Sequence, residues 1–443
     1  MNKEAAHRGQ RREDSSKSDG LPGNTVQPKA PSNTDTEMHG HDTAENQAKA
    51  LVILDACNRR DIADLKDLAA TKGGFLSDAI RRQAWPILLG SAYPAAAASS
   101  DEGKPPLDKA AEAHQQNVAS GATEAHDGPW SELPRHRDED QVRLDVDRSF
   151  IYYPHDQSQA QLDLKKSELS DLITETLRRH PHLCYFQGYH DICQVFLLVL
   201  PPALRPSAVA RLSALRIRDF MLPNLAPAIS QLRLIPDILY AVDPALCRHL
   251  SQTEPFFALS GTLTMYAHDI QSYSSIARLF DALLARGQVF SVYMFAQIVL
   301  NRRGELFDTP ASEPEMLHSI LSKLPQPLDL EQLIADTATL FARHPPESLR
   351  AWGRISGASV LKTARDVEVC AAQTLDDGRR FFDRQVKELQ WAETKEKMLK
   401  TMWAYRSPAK GVALAVLIGV AAIYLRKSPS VLGYLAAFWS RFS

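Results

Sequence analysis

Three short motifs place charged and polar side chains at spacings that are suited to chemistry. In chain order they are Arg81-x-x-x-Trp85, Val142-x-x-Asp145-x-x-Arg148 and Tyr185-x-Gln187-Gly188. The guanidinium of an arginine is always charged and forms a planar fork that can grip two oxygens. The amide of a glutamine both donates and accepts hydrogen bonds. Arg148 and Gln187 are therefore side chains whose types suit work on anionic oxygens and on water.

Each motif taken alone is typical of ordinary helical structure. An arginine four positions before Trp85 usually lays its stem across the packed indole. Asp145 and Arg148 share one helical face, where an i,i+3 ion pair contributes roughly a few tenths of a kcal/mol. The run Tyr-Phe-Gln-Gly around Gln187 is more often the start of a helix than a site. The order of the motifs and their setting must therefore decide between structure and chemistry.

Several catalytic signatures do not occur in the sequence. There is no GxxxxGK[ST] phosphate loop, which argues against an NTPase, and no HExxH, paired CxxC or GxSxG motif. His180, His182, His190 and Asp191 are close together in the chain. Neither successive histidine pair has the i,i+4 spacing of helical metal ligands, so we predict helix-end and interface histidines and no metal site.

The bulk composition is that of an ordinary globular protein in a reducing compartment. The 443 residues are 44% hydrophobic and 23% charged. A formal net charge of −2 gives no overall field that would favour nucleic acid. The five cysteines form no CxxC pair and suggest no disulfide framework. The N-terminus lacks the apolar stretch of a secretory signal peptide.

Most of the chain has the apolar spacing of helices. Between Asp163 and about Arg343, apolar residues recur at intervals of three and four, and prolines separate the segments. The predicted helices here are 164–179, 183–200, 207–221, 232–242, 256–268, 274–285, 290–301 and 331–341. Another helical pattern begins near Asn46, and residues 375–404 form a last charged helix. We therefore predict an all-α fold with many antiparallel helix pairs.

Changes in composition divide the chain into regions. Residues 1–45 are polar and poor in aromatic residues, so we predict a disordered tail. Residues 46–345 form the predicted folded domain, interrupted at 95–128 by a polar insertion that we predict to be disordered. A disordered linker between two domains is the competing interpretation of that insertion. Residues 346–406 are predicted to be a helical linker.

A C-terminal apolar run predicts a transmembrane helix over residues 407–427. Gly411 to Leu425 is 15 residues without a charge, and as a helix it spans about 22 Å against a hydrocarbon core of about 30 Å. Snorkelling of the flanking basic residues and a thin bilayer would accommodate the short span. A buried core helix is the alternative, but few residues remain to cover it. For the short apolar tail at 428–443, spanning, re-entry and surface binding all stay open.

Together and in this order, the three motifs resemble the signatures RxxxW, IxxDxxR and YxQ of the TBC-domain Rab GTPase-activating proteins. Val142 replaces the isoleucine of the second signature. The sequence RLFD at 278–281 is similar to a later R-[IL]-[WF]-D element of that family. The resemblance covers about residues 48–345. The sequence YFQGYHDI around Gln187 is most similar to YYQGYHDI of the branch of the family that is anchored in the endoplasmic reticulum (ER) membrane.

The resemblance implies that this chain activates a small GTPase and is not itself an enzyme. Arg148 is implied to be an arginine finger that stabilises transition-state charge on the partner. Gln187 is implied to be a glutamine finger that positions the attacking water. Asp145 would orient Arg148, and Tyr185 would shape the interface beside Gln187. The other implied supporting or Rab-interface residues are Gly188, Arg81, Trp85, Arg278 and Asp281.

The resemblance also implies the partner and the location. The partner is a Rab GTPase in its GTP form, from the early secretory pathway between ER and Golgi. That partner binds GTP and magnesium, so we expect no cofactor in this chain. With the C-terminal anchor, we expect the chain at the ER membrane, with its TBC domain facing the cytosol. The alternative is a catalytically inactive, tail-anchored Rab-binding scaffold or adaptor.

Overall fold

A computed structural model describes residues 33–91, 128–154 and 157–427, together with Gly433 and Ser440. Residues 1–32 of the predicted tail lie outside this part of the chain. The predicted insertion lies outside it except for Gly128, and so do nearly all residues of the predicted apolar tail after 427.

The chain divides into two units, Met1–Ala48 and Lys49–Ser443. In the first unit the structure describes the beginning of one helix. The second unit contains all other described elements and all three motifs.

Every regular element in the described ranges is helical, so the all-α prediction is confirmed. In those ranges the α-helices are α1 Asn33–Arg59, α2 Ile62–Ala70, α3 Asp78–Leu89, α4 Glu139–Val146, α5 Gln159–Arg179, α6 Tyr189–Val199, α7 Arg205–Arg211, α8 Ala226–Leu232, α9 Leu234–Val242, α10 Pro244–His249, α11 Leu259–Leu263, α12 Tyr273–Leu284, α13 Val289–Asn301, α14 Arg303–Phe307, α15 Pro314–Leu321, α16 Leu330–Arg343, α17 Val360–Thr363, α18 Val367–Ala372 and α19 Leu375–Lys427. Short 3₁₀ turns connect several of them.

The core is built around helices that are apolar on most of their faces. Helix α13 is buried from Val289 through Ala296 and packs against α9 and α16. A helix that is hydrophobic all round belongs inside a protein. Trp85 of α3 contacts Phe196 of α6 and Phe280 of α12, with ring centroids 5.4 Å and 5.9 Å away. The tryptophan of the first motif therefore lies at the meeting point of three helices.

Two long helices predicted from apolar spacing are broken in the structure. The predicted helix 207–221 is α7 followed by one wider π turn, Leu212–Arg216, and a 3₁₀ turn, Arg218–Phe220. Here the Ser213 hydroxyl donates to the Val209 carbonyl at 2.7 Å, a bond that competes with regular helical pairing.

The predicted helix 256–268 is likewise shortened to a 3₁₀ turn and α11. Met265 and Tyr266, just beyond α11, have φ values of 50° and 63°. These left-handed conformations end a right-handed helix. Apolar spacing alone carries no signal for such a change in backbone hand.

Helix α1 begins at Asn33, well before the predicted start near Asn46. Residues 33–45 of the predicted tail are therefore helical in the structure. The segment contains glutamate, methionine and alanine, which favour helix without needing an apolar face. The prediction relied on apolar periodicity and missed this contribution.

The predicted helical linker at 346–406 is wrong over its first half, because that stretch packs into the domain. Leu349, Ile355, Leu361 and Phe382 are all buried in the main hydrophobic core. Partly buried side chains continue this contact along α19 as far as Leu389. The folded domain therefore extends about 45 residues beyond its predicted end at 345.

A buried carboxylate explains why this stretch is part of the domain. Asp219 accepts hydrogen bonds from the Ser359 hydroxyl, the Val360 amide at 3.1 Å and the Gln385 amide at 2.8 Å. The neighbouring Arg218, fully buried, donates to the Ala358 carbonyl and to Gln385. Buried charges are retained only where such partners satisfy them. The residues after 345 therefore complete the core.

Helix α19 continues without a break from Leu375 to Lys427 and so includes the predicted anchor segment. Of the helices that the structure describes, none combines the length and apolarity needed to cross a membrane. The anchor over 407–427 therefore stays a prediction.

Candidate functional site

The second motif spans the end of α4 and places Arg148 at the surface. Val142 and Val146 are buried, which fixes the orientation of the helix. The Asp145 side chain is 1% exposed and the Arg148 side chain is 66% exposed, yet the arginine donates to Asp145 Oδ1 at 2.9 Å. Arg148 also donates to the Leu144 carbonyl at 3.3 Å. The Arg148 guanidinium is therefore exposed to solvent and is held by a buried carboxylate.

Asp145 connects the second motif to the third. Its Oδ1 also accepts from the Gln141 amide at 3.0 Å, and its Oδ2 accepts from the Tyr185 hydroxyl at 3.0 Å. Both carboxylate oxygens are therefore occupied by donors. Because Tyr185 stands two positions before Gln187, this contact brings the two predicted finger motifs to one place on the surface.

The backbone of the third motif is fixed on both sides of Gln187. Phe186 and Tyr189 are buried, while Gln187 is exposed. Gly188 caps α6 with a φ of 97°, and a Cβ at this position would lie 2.5 Å from Thr264 Cγ2. Only glycine adopts this φ readily and leaves room for the threonine. The motif therefore holds an exposed amide on a rigid turn.

A buried glutamine that sequence reasoning missed holds the segment after Arg148. Phe150 has a φ of 63°, and its amide donates to Gln194 Oε1 at 3.0 Å. The Gln194 amide in turn donates to the Tyr153 carbonyl at 3.4 Å. Gln194 lies on α6, the helix that begins directly after Gly188. Its sequence signal is a polar residue inside the apolar run of that helix.

Exposed apolar side chains occur in the chain segments on either side of Arg148. Leu144 is 57% exposed and Ile151 is 72% exposed, and Tyr152 and Leu164 are also exposed. The Lys166 ammonium donates to the Asp147 carbonyl at 2.6 Å, which ties α5 to this region. Apolar groups grouped at a surface mark sites of association more often than single exposed residues do.

Arg81 and Trp85 of the first motif meet Asp281 in the interior. Arg81 donates to both oxygens of Asp281 at 3.0 Å, and Trp85 Nε1 donates to Oδ1 at 2.8 Å. The Phe75 amide adds a fourth donor at 3.0 Å. Burial alone would lower the pKa of Arg81, but the charge and hydrogen bonds of Asp281 raise it above its ordinary value. The group is a fully satisfied buried ion pair.

Arg278 braces a neighbouring junction. It forms a fork with both oxygens of Glu331, at 2.7 Å and 2.9 Å, and donates to the carbonyls of Ala69 and Thr71 at 3.1 Å. Arg278 thereby joins α12 to α16 and to the end of α2. The buried residues Arg81, Trp85, Arg278 and Asp281 do not lie at the surface, so their positions favour a supporting role over an interface role.

The histidines near the third motif have different surroundings. His180 caps α5, and burial lowers its pKa to about 4. Burial also lowers the pKa of His182, to about 3, and its ring meets Phe382 edge to face at 4.9 Å. In the part of the chain with described side chains, no group of three or more histidine, cysteine or acidic residues is placed to hold a metal ion.

Comparison with known proteins defines the class of this chain. The model of the Rab-GTPase-TBC domain family matches residues 78–307. The chain is 32% identical to bovine (Bos taurus) TBC1 domain family member 20 over 345 residues, which cover 76% of this chain and 78% of the relative. It is 31% identical to GTPase-activating protein gyp10 of Schizosaccharomyces pombe over 335 residues, covering 74% and 82% respectively. The chain therefore belongs to the Rab-GTPase-TBC domain family.

Among solved structures, the crystal structure of the Ypt/Rab-GAP domain of Gyp1p is similar. It has 14% sequence identity and a TM-score of 0.47, and the match covers 64% of this chain and 93% of that one.

Proposed function

We propose that this chain is a GTPase-activating protein for a Rab GTPase, to which it supplies Arg148 and Gln187 in trans. The observation that carries the proposal is the hydrogen bond between Asp145 and Tyr185, which unites the two motifs. It sets an exposed guanidinium and an exposed amide on one rigid frame. Membership of the Rab-GTPase-TBC domain family supports the same conclusion.

Arg148 supplies charge at the step that limits hydrolysis. Negative charge spreads over the phosphoryl oxygens in the transition state, and an arginine donated in trans accelerates the reaction by roughly 10³–10⁵. This corresponds to about 4–7 kcal/mol of the barrier. The partner binds GTP and magnesium, and this chain supplies no cofactor. Asp145 limits the mobility of the guanidinium, because its Oδ1 accepts a hydrogen bond from Arg148 Nη2 at 2.9 Å.

Gln187 orients the attacking water. Its amide oxygen accepts from that water and its amide nitrogen donates to a neighbouring acceptor. The rigid Gly188 turn limits the backbone freedom that would otherwise be lost on binding. The apolar side chains around Arg148, such as Leu144 and Ile151, form the adjoining contact with the partner.

A single-turnover hydrolysis assay on a panel of GTP-loaded Rabs tests the proposed function. We expect the purified full chain to accelerate phosphate release from at least one Rab of the early secretory pathway by 10³-fold or more. Magnesium and detergent alone serve as the blank. Binding to one or more Rabs without acceleration of any Rab in the panel would instead identify a scaffold and contradict the proposal.

We further propose that the C-terminal end of α19 anchors the chain in the ER membrane, with the folded domain in the cytosol. The supporting feature is the charge-free run Gly411 to Leu425 between basic residues. Apolar side chains in this run are exposed, among them Leu417 at 66% and Ile423 at 63%. Exposure of these apolar side chains to water is unfavourable, and their transfer to the lipid interior of a membrane is favourable.

Deletion of residues 407–443 tests the anchor. We expect the full chain to stay with membranes after alkaline carbonate extraction and the truncated chain to be released, while hydrolysis in solution is unchanged. Leu417→Arg is a control of unaltered length, because an arginine at the centre of a span costs about 2.5–3.5 kcal/mol on insertion scales. A truncated chain that still pellets with membranes would contradict this proposal.

A further inference from the structure

We propose that His190 is a positioning residue that fixes the direction of the Tyr185 hydroxyl and thereby holds Asp145 and Arg148 in place. His190 lies in the first turn of α6, and its Nδ1 is 3.2 Å from the Tyr185 hydroxyl oxygen. This inference rests on the proposed function, since it concerns the arginine that the partner would meet. Its tests include one that does not depend on GTP hydrolysis.

The direction of each hydrogen bond follows from the groups involved. The Asp145 carboxylate can only accept, so the Tyr185 proton must point toward its Oδ2 at 3.0 Å. Burial, together with the charge of Asp145, raises the pKa of Tyr185 well above its ordinary value, so the hydroxyl keeps this proton. The Tyr185 oxygen is then free to accept, and His190 Nδ1 is the group that faces it. Nδ1 must therefore carry a proton.

The alternative direction leaves an unfavourable contact. If Nδ1 accepted the Tyr185 proton, two oxygens with lone pairs would face each other at 3.0 Å, one of them charged. A hydrogen bond to a carboxylate is also stronger than one to a neutral nitrogen. The energetics therefore favour a proton on Nδ1 that is donated to Tyr185.

The other side of the imidazole faces an acidic partner. His190 Nε2 is 3.3 Å from Asp191 Oδ1, and Asp191 Oδ2 accepts from His268 Nδ1 at 3.0 Å. An imidazolium donates to Tyr185 from Nδ1 and forms an ion pair with Asp191 through Nε2. The neutral Nδ1–H tautomer also donates to Tyr185, and its Nε2 lone pair then faces Asp191 Oδ1. In both states the bond to Tyr185 is the same. Burial lowers the pKa of His190, although the charges of Asp191 and Asp145 oppose this shift.

Two hydrogen bonds, Tyr185 to Asp145 and Arg148 to Asp145, connect His190 to the exposed guanidinium. With His190 as donor, Tyr185 presents its proton to Asp145 Oδ2, and Oδ1 stays available for Arg148 at 2.9 Å. Without that donor the Tyr185 oxygen loses a hydrogen-bond partner in a half-buried place, and the bond to Asp145 Oδ2 alone then holds the hydroxyl. The Tyr185–Asp145 contact beside Arg148 is then held less firmly. His190 does not itself meet the nucleotide in this scheme.

A double-mutant cycle with Tyr185→Phe and His190→Leu tests this chain of contacts in the full-length protein. We expect His190→Leu to lower kcat for Rab hydrolysis by about 10-fold, the effect of one lost hydrogen bond to a charged network, with KM little changed. His190→Asn, whose amide can donate from a place near Nδ1, should stay within about 3-fold of the parent. In the Tyr185→Phe background, His190→Leu should have no further effect.

Two results of the cycle would overturn the inference. One is an equal cost of His190→Leu in both backgrounds, which would show that the histidine acts independently of the Tyr185 hydroxyl. The other is no cost in the parent. Thermal unfolding of each variant monitors folding, and the comparison of His190→Asn with Tyr185→Phe remains informative if the leucine variant unfolds.

A spectroscopic measurement tests the inference without using activity. NMR spectra of ¹⁵N-histidine-labelled protein should show a proton on Nδ1 of the His190 ring. Tyr185→Phe should change the ¹⁵N chemical shift of that Nδ1. A ring protonated on Nε2 alone would overturn the inference even if the chain activates a Rab. Conversely, a parent chain without any activating effect but with a protonated Nδ1 would contradict the proposed function and leave the hydrogen-bond assignment intact.

Discussion

Replacing Arg148 with alanine should lower the acceleration of Rab GTP hydrolysis by about 10³-fold, the lower end of what an arginine finger contributes. The reason is that no other donor would take its place beside the developing phosphoryl charge. Arg148→Lys keeps the charge but not the planar fork, so we expect it to recover only a small part of the rate. Single-turnover hydrolysis at varied concentrations of the chain measures both variants.

Folding should survive this substitution. The Asp145 carboxylate keeps hydrogen bonds from Gln141 and Tyr185 when the arginine is removed. The loss of its charged partner should cost about 1.5–3 kcal/mol of stability, less than the whole stability of a domain. Arg384, also exposed and paired with Glu388 one turn away, offers a matched control. Arg384→Ala should leave turnover unchanged. Parent-like turnover by Arg148→Ala would refute the arginine-finger assignment.

Replacing Gln187 with alanine should lower the acceleration by about 10²-fold, a typical cost of removing one oriented group at a transition state. Water would still reach the nucleotide, but its attack would no longer be aligned. Gln332, an exposed glutamine on α16, provides a control, and Gln332→Ala should behave as the parent. The ratio of kcat to KM for each variant separates loss of turnover from loss of binding.

The sequence predicted the elements in which local pattern and tertiary structure agree. The expected helices 274–285, 290–301 and 331–341 match α12, α13 and α16 within a few residues. Their apolar spacing is regular because each packs one or more faces against the core. The break at Leu212–Arg216 and the left-handed residues after α11 left no such signal.

The error at residue 345 has a different origin. Sequence reasoning took the end of regular apolar spacing as the end of the domain. The segment beyond it is held by polar contacts, because Ser359 and Gln385 satisfy the buried Asp219. These partners stand more than a hundred positions from the aspartate, and spacing does not report on pairs at that separation.

For the candidate site, spacing predicted the Asp145–Arg148 pair, and the structure has it. Spacing did not predict that the aspartate would be buried or that Tyr185 would share it. Spacing also did not predict roles for Gln194 and His190, since these roles come from contacts between α6 and other segments. The surroundings of the two fingers are therefore the part of the site that required a structure.

We propose that this chain supplies both the charge and the water-orienting amide to its partner. The most direct test uses a Rab whose own water-orienting glutamine has been replaced by alanine, assayed by single-turnover hydrolysis with the parent chain and with Gln187→Ala. We expect the parent chain still to accelerate this Rab by at least about 10²-fold and Gln187→Ala not to do so. Loss of the parent chain's effect on the altered Rab, together with a full effect of Gln187→Ala on the unaltered one, would contradict a water-orienting role for Gln187.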